Sequence, residues 1–438
     1  MLTPFLCALF LLGGAILDTA RAAEPPADLP ELRLSLRDAI QAATDNNPTV
    51  RLFKERILEA RGIANTRRGA LLPNLSGAVS QSNRTVFLRS FGIAGAGRSA
   101  PIDIFDARGS LVQNLFSLSL IQRWRAARTG VEVAELDAEV TTRDTMATVG
   151  LLYMEALRAE AAVKASEANV DLNQALLKLA QDRKEAGLAM GLDVTRAQVQ
   201  LETEKQRLLV AQNERDRAKL NIIRTLGIDF DIRLVLTDEL QPVDMEPQTM
   251  QEALDVAHEH RTELKAQAQR QKLATLTLSS ITSERLPSLA ATGDYGMIGT
   301  SMEETFNTHS AAVVLSVPVF DGGQREGRIA ESRSQVRQEA IRMKDVSDQI
   351  TLEVRDALLT LASTRQQVLV SQDGIRLALR ELELARERFA VGVANNIELT
   401  NAQTSVIRAR DNVIDALFNL NAARINLARA QGRLETLY

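Results

Sequence analysis

Proline placement constrains this chain more than any other feature of its sequence. The prolines stand at positions 4, 25, 26, 30, 48, 73, 101, 242, 247, 287 and 318, so the spans 102–241 and 319–438 contain none. An interior proline costs a helix about 3 kcal/mol, and spans this long without one favour uninterrupted helix. Aromatic residues make up only 4% of the chain, whereas Ala, Leu, Gln, Glu and Arg dominate, as in long helices and coiled coils. A compact multidomain enzyme with a loop every dozen residues is therefore the weaker reading.

The proline-free spans carry heptads. After Ile350, the residues Val354, Leu361, Val368, Ile375, Leu382 and Phe389 fall every seven positions, and Ala357, Thr364, Ser371, Ala378 and Ala385 follow three residues after the first five of these. The last helix repeats the device with Leu399, Val406, Val413, Leu420, Leu427 and Leu434, shadowed by Ala402, Ala409, Ala416, Ala423 and Ala430. A sustained repeat of 3.5 residues per turn supercoils helices left-handedly so that the seam stays on its partner. Alternating large and small residues allow close approach.

The chain is also two copies of one unit. Leu36-Arg37-Asp38-Ala39-Ile40 matches Met250-Gln251-Glu252-Ala253-Leu254, and Leu72-Pro73-Asn74-Leu75 matches Leu286-Pro287-Ser288-Leu289, both at an offset of 214. Asn114-Leu115-Phe116 matches Pro318-Val319-Phe320 at 204, and Gly187, Asp193 and Ala197-Gln198 match Gly392, Glu398 and Ala402-Gln403 at 205. Shifting the second-copy heptads back by 205 gives Val149, Ala156, Val163, Val170 and Leu177. The change of offset assigns the length difference to a Gly-rich loop, Phe87 to Gly109. We divide the chain into a first repeat at 34–227, a linker at 228–249 and a second repeat at 250–434.

Each copy reads as helix, strand, loop, strand, long helix, tight turn, helix. The first helices are expected over Leu36 to Ala70 and Gln251 to Ser283. The strands are expected over Leu75 to Thr85, Ser110 to Leu120, Ser288 to Met297 and Ser310 to Phe320. The long helices, about Ile121 to Ala186 and Gln324 to Val391, would each measure about 100 Å at 1.5 Å per residue. No single globular core is that deep, so they must run along an elongated object, with two shorter helices stacked end to end beside each. Strands of about ten tilted residues suffice to cross a bilayer, although an ordinary hairpin is an equal reading of periodicity alone. Four strands cannot close a membrane barrel, which needs at least eight; two chains would supply eight and three would supply twelve.

The N-terminus reads as an export signal over residues 1–22. Phe5 to Leu17 is apolar and too short to span a bilayer, and Ala20-Arg21-Ala22 is a small-x-small cleavage pattern. Cys7, the only cysteine, would leave with it. The formal net charge of -4 and the absence of a basic motif give no reason to expect a nucleic-acid partner.

In this order, the motifs resemble the TolC-like outer membrane efflux protein family over nearly all of Leu34 to Leu434. The resemblance rests on Ala39-Ile40-Gln41-Ala42-Ala43 with Asn47-Pro48, on the junctions Leu71-Leu72-Pro73-Asn74-Leu75 and Arg285-Leu286-Pro287-Ser288-Leu289, and on Pro318-Val319-Phe320-Asp321-Gly322-Gly323. Both turns also follow the family's spacing of a glycine, an acid six residues on, and then Ala-Gln. The resemblance implies a mainly α fold with a β-barrel contribution: a homotrimer with a twelve-stranded barrel in outer membrane lipid and a twelve-helix tunnel across the periplasm. It further implies a passive exit duct of a tripartite efflux or type I secretion system. Such a duct docks a periplasmic adaptor and an inner-membrane ABC or proton-driven transporter, and works with no enzymatic chemistry and no cofactor.

Carried over by position, the resemblance assigns Gly187, Leu188 and Asp193, with Gly392, Val393 and Glu398, to the periplasmic tip that closes the pore and meets the adaptor. Pro73, Pro287, Pro318, Gly322 and Gly323 mark the helix-to-strand junctions. Glu398 stands where Asp is more usual. Each tip residue also has a plain structural reading. Asp193 can cap a helix, Asn396 can cap the next, Glu398 suits a helix dipole, and both glycines suit left-handed helix ends. A carboxylate ring at a narrow mouth would favour cations.

Other motifs read as structure. Gly95-Ala96-Gly97-Arg98-Ser99-Ala100 lacks the helix and acid of a dinucleotide site, and His258 and His260, two apart on a helix, face different ways. Trp124, Phe116, Phe320 and Tyr295 fit an interfacial belt or ordinary packing, and Arg123 to Arg128 fit a solvated helix near the membrane. No nucleophile, base and orienter converge. The rival reading is a periplasmic coiled-coil scaffold or adaptor without a barrel, which would not need strand pairs at equivalent positions in both copies.

Overall fold

The computed structural model describes residues 30–92, 97–187, 189–243, 248–394 and 396–437; the expected export signal at 1–22 and Leu188 lie outside them. The described residues open with β1 (Glu31–Leu34), α1 (Leu36–Asn46) and α2 (Pro48–Gly69), then β2 (Asn74–Arg84), β3 (Ile102–Phe116), α3 (Leu118–Glu185) and α4 (Gly191–Leu226). After β4 (Arg233–Leu236), the series α5 (Met250–His260), α6 (Thr262–Thr282), β5 (Ser288–Gly299), β6 (Thr305–Ser316), α7 (Gln324–Ala390) and α8 (Asn396–Ala430) repeats that order.

The long helices α3 and α7 have 68 and 67 residues, so each is about 100 Å long. Their seams are those the heptads mark. Ile350, Val354, Leu361, Val368, Leu382 and Phe389 of α7 are buried, with Ala357, Thr364, Ala378 and Ala385 between them. In α3, Val149, Ala156, Val163 and Val170 are buried, but the seam then slips by one residue and buries Leu176 in place of Leu177.

The expected first helix of each copy is two helices. Pro48 has no N–H for a continuing ladder, so the chain breaks at Asn47, whose Oδ1 accepts the N–H groups of Thr49 at 2.8 Å and Val50 at 3.2 Å and starts α2. The second copy breaks at the equivalent Arg261 without a proline. Both α1 and α5 begin with a reciprocal capping box, Ser35 with Asp38 and Thr249 with Glu252.

Residues 233–236, inside the expected linker, form β4, which pairs in parallel with β1. This two-stranded sheet covers a core containing Ile40, Tyr153, Ile222, Leu226, Leu234 and Ile425. The buried Tyr153 hydroxyl donates to Leu34 O at 3.0 Å and to Asp238 Oδ2 at 2.8 Å, and burial pushes its pKa up. Asp238 also accepts the Leu36 N–H at 2.8 Å, tying the β1–α1 corner to α3.

The second sheet is antiparallel in the order β2-β3-β5-β6. Strands β2 and β6 begin and end one to five residues before the expected limits, β5 begins at the expected Ser288 and runs two residues past Met297, and β3 starts eight residues early, at Ile102, taking part of the expected loop. Side chains alternate between faces along each strand. Leu75, Val79, Leu111, Tyr295, Met297, Val313 and Leu315 share one face and are exposed in the single chain. At mid-height the other face carries Ser76, Ser80, Asp106, Arg108, Ser110, Asp294 and Ser310. This is the apolar-out, polar-in alternation of a membrane barrel strand, in which an Arg turned to lipid at mid-bilayer would cost about 2–4 kcal/mol.

Candidate functional site: the two ends of a long helical duct

The described residues of the expected tip, Gly187, Asp193, Gly392, Val393 and Glu398, lie together at one end. At the first turn, Ala186 caps α3 and Gly187 follows with φ 72°, its N–H donating to Lys184 O at 3.0 Å. Met190, not Asp193, is the cap residue of α4. Asp193 sits three residues into the chain from that cap, and its carboxylate accepts the Met190 N–H at 3.2 Å. It therefore supports the helix start from inside the first turn, where the dipole also favours a negative charge.

The second turn is a Schellman motif. Gly392, at φ 82°, donates its N–H to Phe389 O at 3.1 Å, and Val393 donates to Arg388 O at 3.0 Å. Helix α8 begins at Asn396, so this residue opens the helix rather than preceding it. Glu398 is ion-paired with Arg388 at 3.0 Å across the turn, a contact ten residues apart that no local motif announces. The turns also touch each other, because the Arg183 guanidinium of α3 stacks 4.3 Å above the Phe389 ring of α7. Behind them Leu176, Leu382, Phe389, Leu399 and Val406 form a closed core, while Met190, Leu192, Val391, Val393 and Ile397 are exposed at the end.

The junction residues lie at the opposite end. Pro73 and Pro287 each stand immediately before a strand, β2 and β5. Asn114 and Gln113 of β3 brace the α2 end by donating to Ala70 O and Leu71 O, both at 2.9 Å. Pro318 follows β6, and Gly322 and Gly323, at φ 69° and 85°, turn the chain into α7. Asp321 caps this return by accepting the Arg325 N–H at 3.1 Å. Glu284 gathers Arg123 and Arg328 beside it, so Arg123 is paired and not simply solvated. Val319 and Phe320 are almost fully exposed here.

Neither layer closes on itself. β2 and β6 are sheet edges. Helix α3 packs against α2, α4, α6 and α8, and α7 packs against α5, α6 and α8, which leaves α2 with α4 at one flank and α7 at the other. The large exposed apolar residues of the helices concentrate on these flanks: Leu52, Leu58 and Ile63 of α2, Leu209 and Val210 of α4, and Leu352, Leu359, Leu369 and Leu377 of α7.

The family model described as outer membrane efflux protein matches residues 39–228 and 253–433. The chain belongs to the outer membrane efflux protein family. This efflux protein is 22% identical over 316 residues to outer membrane efflux protein BepC of Brucella suis, covering 70% of the chain and 68% of the relative. It is 24% identical over 416 residues to protein CyaE of Bordetella pertussis, covering 94% and 86%. Among solved structures, the outer membrane protein VceC of Vibrio cholerae superposes with a TM-score of 0.79 at 16% identity, covering 91% of this chain and 96% of that one. The fold is thus that of the TolC-like outer membrane channels, and the efflux protein acts in the outer membrane and reaches into the periplasm. The family consists of efflux channels and not enzymes.

Proposed function

We propose that this efflux protein is the passive outer membrane exit duct of a tripartite pump, built from three copies of the chain. The supporting observation is that sheet and helical layer are open at the same two flanks, β2 with α2 and α4 on one side and β6 with α7 on the other. Exposed apolar side chains on long helices and unpaired strand edges both call for partners. Identical copies joined flank to flank satisfy both at once, and three give twelve strands and a continuous helical wall. Residues 1–22 would be the export signal, and 34–227 and 250–434 the two repeats bridged by 228–249.

The tip then serves as the periplasmic mouth. Gly187, Leu188 and Asp193 with Gly392, Val393 and Glu398 would form the constriction and the surface for a periplasmic adaptor, itself joined to an inner-membrane ABC or proton-driven transporter that supplies the energy. The apolar side chains of Met190, Leu192, Val391, Val393 and Ile397 at this end suit such a contact. Pro73, Pro287, Pro318, Gly322 and Gly323 would uncouple strand from helix at the membrane boundary.

The test is to extract the protein from outer membranes in mild detergent and measure its mass and conductance. A heat-dissociable particle of three copies that forms pores in a planar bilayer is expected. A soluble periplasmic monomer would overturn the proposal and favour the scaffold reading.

A further inference from the structure

The four-stranded sheet holds a charged network that the anchoring of a passive duct does not require. Arg108 on β3 donates through Nε to both carboxylate oxygens of Asp106, at 2.8 and 3.0 Å, and through Nη1 to Asp294 of β5 at 2.8 Å. The second oxygen of Asp294 accepts the hydroxyl of Ser310 on β6. The pairing register puts Ser80 opposite Asp106, Ser110 opposite Asp294, and Asp294 opposite Ser310, so the network crosses three strands on one face.

The backbone accommodates it at one specific position. Gly296 lies directly opposite Arg108, and a Cβ at Gly296 would come within 2.4 Å of both the Arg108 Cβ and the Ala107 carbonyl oxygen. The opposite face, with Leu75, Val79, Leu111, Tyr295, Met297, Val313 and Leu315, is mostly apolar, with His309 opposite Tyr295 on it. In a barrel closed with other copies, the apolar face meets lipid and the network meets water in the lumen.

We propose that Arg108, Asp106 and Asp294 form a charged girdle inside the barrel that makes the barrel itself, and not only the periplasmic tip, prefer cationic solutes. One guanidinium against two carboxylates leaves one net negative charge in each copy. Three copies set three such charges at one height, and a ring of like charge in a confined aqueous pore raises the local concentration of the opposite sign. Held by Arg108 on one side and Ser310 on the other, the Asp294 carboxylate has a fixed position, so the field is fixed too. This inference rests on the closed-barrel reading above.

The experiment uses the full chain, purified and reconstituted in planar bilayers, with reversal potential read under a KCl gradient. Arg108→Gln should raise the cation-to-anion permeability ratio and the Asp106→Asn, Asp294→Asn pair should lower it. Each change should be about two-fold or more, the factor that one unit charge about 10 Å from an ion in water produces. Cys7, the only cysteine, lies in the expected signal, so single cysteines can report on facing. Ser80→Cys should react with water-soluble charged thiol reagents, and Val79→Cys should not. A positively charged adduct at Ser80→Cys should lower the ratio and a negative one raise it, a readout made on channels already assembled.

Any other labelling pattern overturns the facing and, with it, the closed-barrel reading. Labelling at Ser80→Cys alone, with an unchanged permeability ratio in the charge variants and in both adducts, overturns the girdle and leaves the barrel standing. A purely structural network would affect assembly without moving the reversal potential of the channels that form.

Discussion

Arg261 donates through Nη1 to the carbonyl oxygen of Ala430 at 3.2 Å, as Asn47, its counterpart in the first copy, donates through Nδ2 to that of Thr225 at 2.6 Å. Both residues are buried at the break between two short helices, and both tie that break to the end of the helix that closes their own repeat. Arg261 adds ion pairs to Glu263 at 2.9 Å and Glu353 at 2.8 Å. Glu263 and Glu353 are each about one-third exposed and can be rehydrated, so Arg261→Ala should cost about 2–3 kcal/mol, below the ~3–5 kcal/mol of a fully buried pair, against about 1–2 kcal/mol for Asn47→Ala, which loses a cap and one buried bond. Denaturation midpoints of the two variants in the same detergent check the order.

The same break explains two glycines. Gly227 has φ 68° and a Cβ there would lie 2.6 Å from Asn46 O, while Gly432 has φ 70° with His260 O at 2.9 Å. Gly322 has φ 69° but nothing within 4 Å of a Cβ. Gly322→Ala should therefore cost only the left-handed backbone term of about 1 kcal/mol, and Gly227→Ala and Gly432→Ala distinctly more. Equal losses of melting temperature across all three would contradict the steric account.

Glu204 of α4 is almost fully buried, with Oε2 lacking a hydrogen-bond partner while Oε1 meets Arg207 at 3.0 Å. Burial first, then the Asp411 carboxylate, push its pKa above the ordinary Glu range, and burial with Asp415 raises Asp411 likewise. A carboxyl raised in the folded state binds its proton more tightly there than when unfolded. Its stabilising effect is present at acid pH and is lost as pH rises from the unfolded value through the folded one. Glu204→Gln removes that loss. The melting temperature of the variant relative to the parent should become more favourable as pH rises from about 4 toward about 8; a constant difference would sink the idea.

At the tip, Arg388 partly neutralises Glu398, with both side chains about half exposed. Such a pair contributes at most about 1 kcal/mol, so Arg388→Gln should leave stability nearly unchanged. On the proposed reading of this end as the pore mouth, it should instead make the channel more cation-selective by removing a positive charge beside Glu398. Replacing Asp193 and Glu398 together by Ala should shift selectivity the other way. Single-channel recordings distinguish these outcomes, and unchanged traces in both would leave the two acids with helix-end roles only.

Much of the architecture was legible because it is periodic or punctuated. Heptads and missing prolines mark α3, α4, α7 and α8, and offsets of 214 and 205 align the two copies. Pro73 and Pro287 lie beside strands as their chemistry requires. Strand limits were less legible, because β3 begins in a Gly-rich stretch whose only strand signal is the alternation of Ile102, Ile104 and Asp106. β1 and β4 are four residues each, too short for periodicity, and exist because each completes the other's hydrogen bonds.

The candidate site divides in the same way. Gly187 and Gly392 announce left-handed turns, and Asp193 and Glu398 announce acids near helix starts. By contrast, the Arg388 pair with Glu398, the Arg183 stack on Phe389, and the Arg108 network with Asp294 join residues ten to two hundred positions apart and leave no local pattern.

By itself, the sequence determined what repeats and what cannot bend: a duplicated chain, helices about 100 Å long, and strands too few to close a barrel alone. These follow from backbone chemistry and side-chain spacing, which act over one or two turns. Only the tertiary structure decided which flanks stay open, which face of the sheet is polar, and which charges are paired. Those properties depend on register and packing between segments far apart in the chain, where a shift of one residue turns every side chain to the opposite face.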